Sequence, residues 1–111
     1  MELPFYENAC IDIEKLKDYC LNPYHPVGKN KARVFQSLLD LDQNDALWLK
    51  NEIFKKLSSS PATEKELDKY GRRYEVEMEI ENGDLRANVT TVWILAQGTS
   101  YPRFITCYIK A

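Results

Sequence analysis

The chain has 111 residues, 44% of them hydrophobic and 29% charged, which fits one domain with one core, residues 1–111. Fifteen Lys and Arg against seventeen Asp and Glu leave a formal net charge of -2, so a broadly basic nucleic-acid binder is excluded and any RNA site must be a local patch. No apolar run is long enough to span a bilayer, and Glu2 and Glu7 stand where a signal peptide would be basic and then apolar.

Met1 to Asn8 reads as an arm, with Leu3, Phe5 and Tyr6 available to pack on a core and Pro4 set against a long helix. Asp12 is placed to cap a helix running to about Leu21, with Ile13, Leu16 and Cys20 on one face. Asn22-Pro23 ends it and leads into the loop Tyr24 to Gly28, which holds the only histidine, His25. A second helix is predicted from about Asn30 to Leu41, burying Ala32, Phe35 and Leu39. Asp42 or Asn44 can cap a third, with Ala46, Leu49, Ile53 and Leu57 inward and Lys55 and Lys56 opposing the negative end of its dipole. Ser58-Ser59-Ser60-Pro61 stops that helix and reads as a flexible surface loop. Glu64 to Tyr70 reads as a further short helix, closed by Gly71.

The pattern changes after Gly71. Tyr74, Val76, Met78 and Ile80 alternate with Glu75, Glu77, Glu79 and Glu81, the period of a strand with one buried face. The glutamate row is a solvated outer face, or an acidic patch for a basic partner. Asn82-Gly83 is a hairpin turn, and Leu85 to Ala96 is the return strand. Val92-Trp93-Ile94-Leu95 is apolar on both faces, so that strand is expected to be central and covered on both sides. Trp48 and Trp93 are expected in the core. Pro102 precedes a last strand, Arg103 to Lys110. The fold class is therefore α+β: three N-terminal helices, then an antiparallel meander of three or four strands, with the helices packed on one face.

Cys10, Cys20 and Cys107 are odd in number and match no zinc or redox spacing. They read as free thiols among apolar neighbours in a reducing, cytoplasmic setting. One histidine and scattered cysteines do not make a metal site, and no phosphate-cradling glycine motif occurs, so no cofactor is expected. Metal-independent RNA cleavage asks for less: a group to move protons, cations to hold a phosphorane, and a hydroxyl donor. His25 is near Lys29, Lys31 and Arg33 in sequence. Arg72, Arg73 and Arg103 are further cations, and Thr90, Thr91, Thr106 and Tyr108 offer hydroxyls on strands. His25 is either a turn residue bonded to backbone or a catalyst. Cations at a helix N-terminus oppose its dipole, which favours a use for Lys29, Lys31 and Arg33.

Lys15-Leu16 with Tyr19 and Leu21, His25-Pro26 with Gly28, Lys31, Ala32 and Phe35, Gly71 with Tyr74 and Val76, Thr91 with Trp93, and Pro102 with Thr106, Cys107 and Tyr108 span nearly the whole chain. On these residues it resembles the bacterial domain-of-unknown-function family numbered 6883. The resemblance implies a layout similar to metal-independent ribonuclease toxins of the barnase, EndoU, colicin and RelE type, as found in toxin–antitoxin or polymorphic toxin systems. It implies His25, Lys31, Thr91 and Thr106 as catalytic residues, with Arg103 as an extra cation; Lys29 and Arg33, close to His25 in sequence, are expected to bind substrate with Arg103. RNA is then the substrate, a small antitoxin or immunity protein the partner, and no membrane is involved. The alternative is a non-catalytic, immunity-like or phage-associated binding module, favoured by the acidic balance and the glutamate row.

Overall fold

Helices come first and strands second, as the patterning predicts. The computed structural model describes residues 1–110. Asp12 caps the first helix through a bond accepted from the Glu14 N–H at 3.1 Å. That helix, α1 (Ile13–Lys15), loosens at once into a π-helical turn, Leu16–Cys20. The wider turn takes Leu16 and Cys20 into the core and leaves Tyr19 half-buried. The second helix, α2 (Lys29–Leu39), starts at Gly28 and ends at Asp40, which takes the left-handed conformation at φ 54°. Asp42 and Asp45 form a reciprocal capping box before α3 (Ala46–Leu57). Lys55 and Lys56 sit in its last turn as expected, and Lys56 also donates to the Glu79 carbonyl at 2.6 Å. The serine run is a tight turn, not an open loop: Ser60 is buried and its hydroxyl donates to the Lys56 carbonyl.

The stretch expected as a fourth helix is a strand. Four strands, β1 (Ala62–Asp68), β2 (Gly71–Asn82), β3 (Leu85–Ala96) and β4 (Arg103–Ile109), form one antiparallel sheet in sequence order. Gly71 closes no helix. It opens β2 at φ 143°, where an added Cβ would lie 2.2 Å from the Leu95 carbonyl oxygen. Local preference in Thr63-Glu64-Lys65-Glu66 is overridden by pairing with β2. Tyr74, Val76, Met78 and Ile80 enter the core, while Glu77 and Glu79 stay exposed.

β3 is internal, as its apolar run implies, but it is not covered on both sides. Val89, Thr91 and Trp93 are buried, whereas Val92, Ile94 and Leu95 are half-exposed. β4 carries a bulge opposite Val92 and Trp93. Its core residues are Phe104, Cys107 and Ile109, a spacing of three and then two. The N-terminal arm joins both edges of the sheet. The Met1 carbonyl accepts from the Ala62 N–H, and Cys10 bridges to Arg103, with the Phe104 N–H donating to the Cys10 carbonyl. Leu3 is buried beneath this arm, while Phe5 is exposed. One cluster unites Leu16, Cys20, Phe35, Leu39, Leu49, Ile53 and Leu57 with the sheet residues. Trp93 lies at its centre and Trp48 only at its margin. Cys20 and Cys107 are buried free thiols; Cys10, contrary to the expectation, is exposed. Among the described residues, no helix is long and apolar enough to cross a membrane.

Candidate functional site

The π-helical turn, the first turns of α2 and the bulged half of β4 meet around one ammonium group. Gly28 permits the approach: a Cβ there would sit 2.5 Å from the Tyr19 carbonyl oxygen, so only glycine lets α2 start against the turn. Lys31, one turn into α2 and half-buried, reaches across to the edge strand. Its Nζ donates to Tyr19 Oη and to Thr106 Oγ1, both at 3.3 Å. It also lies 4.9 Å from the Tyr19 ring centre and 5.8 Å from that of Tyr108, within cation–π range. Cys20 Sγ is 3.5 Å from Thr106 Oγ1.

His25 joins through Tyr19. The two rings meet edge to face, with centres 4.9 Å apart. The backbone N–H groups of Val27 and Gly28 both donate to His25 Nδ1 at 3.0 Å. Nδ1 is therefore an acceptor in this turn, and the ring carries its proton on Nε2. His25 is thus a turn residue through Nδ1, and its ring packs on the Tyr19 that Lys31 bonds.

The thiols beneath the cluster differ from each other. The Cys20 thiol is drawn down to about 6, chiefly by the hydrogen bond from the Cys107 thiol; burial opposes this, and the Thr106 hydroxyl, the Cys107 backbone and the Lys31 charge add to it. Cys107 is pushed well up by burial and by donating to Cys20. Of the two thiols, Cys20 is the more acidic, and the Lys31 charge contributes to that.

The remaining sequence candidates fall outside this cluster. Thr91 is fully buried, and its hydroxyl donates to the Val76 carbonyl and accepts from the Trp93 indole N–H. Both bonds serve the core, and the structure does not bring Thr91 to Lys31. Lys29 and Arg33 are exposed and lie two positions either side of Lys31, so they point away from it around the helix. Arg103 is exposed on β4, three residues before Thr106. Arg73 is paired with Asp68, and Arg72 donates to the Lys65 carbonyl. Reading the residues one by one underrated Tyr19 and Cys20, since the π-helical turn that aims them has no signature in the sequence. The 104, 107, 109 apolar spacing was the available sign of a bulge at Ile105, next to Thr106.

These elements define a small α+β domain with a polar cluster at the edge of an antiparallel meander. The chain belongs to the family described as Domain of unknown function (DUF6883), whose model matches residues 2–111. No curated protein matches it in sequence. Among solved structures it is similar in fold to a chain of the contact-dependent growth inhibition toxin–immunity protein complex from Klebsiella pneumoniae 342, at 16% identity and a TM-score of 0.63, over 96% of this chain and 97% of that one.

Proposed function

We propose that residues 1–111 act as one toxin-like, metal-independent ribonuclease domain, restrained by a small immunity or antitoxin protein. The observation that carries this reading is the Lys31 ammonium held between Tyr19 Oη and Thr106 Oγ1 at 3.3 Å each, with the His25 ring against Tyr19. The fold likeness to a chain of a toxin–immunity protein complex supports it. In this reading the helices cover one face of the sheet and leave the other for nucleic acid, and the protein works in the cytoplasm.

In the reaction, the 2′-oxygen of RNA bonds to phosphorus and the bond from phosphorus to the 5′-oxygen breaks. One proton leaves the 2′-hydroxyl for water and one reaches the 5′-oxygen, giving a cyclic phosphate and a 5′-hydroxyl. Lys31 supplies the positive charge that the phosphorane needs, in a position set by its hydroxyl partners before substrate arrives. His25 presents Nε2–H as a second donor to a phosphoryl or departing oxygen. Uptake of a proton at Nδ1 requires the Val27 and Gly28 amides to release that nitrogen first. Thr106 orients Lys31. The buried Thr91 supports the strand that faces β4.

The test is total bacterial RNA incubated with purified wild type, His25→Ala and Lys31→Ala in the presence of a chelator. The expected result is cleavage with cyclic phosphate ends, reduced about 10²–10³-fold by Lys31→Ala, the cost of losing one such donor. Intact RNA from folded wild type overturns the nuclease and leaves the binding module. That second reading draws on the glutamate row, although Glu75 and Glu77 are already paired with Lys65 and Lys110.

A further inference from the structure

The outer side of β3 is only partly covered at Val92, Ile94 and Ala96. Ile94 floors a cleft of about 410 Å³, with Ala96, Ile105, Tyr70, Arg73 and Arg103 around it. The bulge in β4 makes this possible, since Ile105 lines the cleft while Phe104 and Cys107 go to the core. Tyr70 is 62% exposed. Asp68 holds Arg73, whereas Arg103 has no carboxylate within ion-pair distance among the described residues.

An aliphatic floor, an exposed aromatic ring and an unpaired guanidinium match a nucleotide. The flat face of a base stacks on the ring or the apolar floor, and the fork of the guanidinium takes a phosphate. Position adds to chemistry. Arg103 and Ile105 precede Thr106 on the same strand, so the cleft begins beside the Lys31 cluster and Arg103 stands about 10 Å from it by strand rise. A short stretch of single-stranded RNA covers that distance.

We propose that this cleft seats an unpaired nucleotide of the RNA, next to the phosphate held at Lys31. The placement rests on the nuclease reading, but binding can be measured apart from cleavage. A fluorescently labelled 2′-O-methyl oligoribonucleotide lacks the attacking hydroxyl and serves as the probe. It is titrated into the full chain and followed by anisotropy at several salt concentrations. Tyr70→Ala is expected to weaken binding about tenfold, without changing the salt dependence. Arg103→Ala is expected to weaken it similarly and to lower the log–log salt slope by about 0.7, which Arg103→Lys restores. Both positions are exposed at the cleft rim, so their substitution spares the core. Unchanged affinity in both alanine variants overturns the cleft, and if ordinary RNA is still cut, the Lys31 site stands without it. No binding by folded wild type at low salt also overturns it and leaves the cleft to a protein partner. Cleft-dependent binding without cleavage of ordinary RNA supports the cleft and sinks the nuclease.

Discussion

The two edge strands of the sheet, β1 and β4, are each seven residues long and treat their surroundings in opposite ways. In β1 only Ala62 is buried; Thr63 to Asp68 are all exposed, and Glu64, Lys65 and Glu66 carry charge. Charge and a register shift blunt this edge against further strand pairing. In β4 the same length holds Phe104, Cys107 and Ile109 in the core and gives Thr106 and Tyr108 to Lys31. Both edges are irregular. On β1 the irregularity shifts the register before pairing resumes at Leu67, and on β4 it re-aims side chains. An edge strand thus gathers a polar cluster when a helix lies against it with a charge to share.

The largest difference should appear in stability. Phe104→Ala removes a buried ring that meets Trp93 edge to face, and should cost about 3–5 kcal/mol by urea unfolding. Leu67→Ala on β1, where the side chain is 64% exposed, should stay within about 0.5 kcal/mol. Equal losses would mean that the two edges are equally built into the core.

Next in size is Gly28→Ala. The new methyl would meet the Tyr19 carbonyl at 2.5 Å and push α2 away from the π-helical turn. A loss of about 2 kcal/mol is expected, the range for overpacking, together with loss of the Tyr19–Lys31 contact by NMR. An unaltered contact would show that the glycine is not what sets the site.

The smallest effect per step is on pH dependence, which builds up only across several pH units. The Cys20 thiol is held at about 6 against an ordinary 9.0, so between these values the unfolded chain binds more protons than the folded one. Stability should therefore rise with pH across that window, by at most about 1.4 kcal/mol per unit, and be lost as pH falls through about 6. Cys107, pushed upward, retains its proton there. Cys20→Ser should flatten the rise. A slope that survives the substitution would assign it elsewhere.

Much of this architecture is legible in the residues. Asp12 announces a cap, the Tyr74–Glu81 alternation a strand, and Asn82-Gly83 a hairpin, because each depends on neighbours in sequence. The strand at Ala62–Asp68 is not legible, since its residues suit a helix until β2 offers them hydrogen bonds. The site divides in the same way. His25 and Lys31 stand out as polar groups near a helix start. Which threonine meets Lys31 is decided by the packing of α2 and the π-helical turn against β4, and alternation alone gives no reason to prefer Thr106 to Thr91. Tyr19 reaches Lys31 because a turn is wound one residue wide, a choice made by packing.

The arm that joins the two sheet edges has a consequence in time. The Asn8 side chain donates to the Ser100 carbonyl, 92 positions away, and Cys10 pairs with Arg103. Such a clasp requires closure of nearly the longest loop the chain can make, so it forms after local helices and hairpins and slows folding overall. It also joins the first residues to the strand that carries Thr106. A nascent chain therefore carries Lys31 long before it has the hydroxyl that orients it, and the cluster assembles only when the last strand is in place.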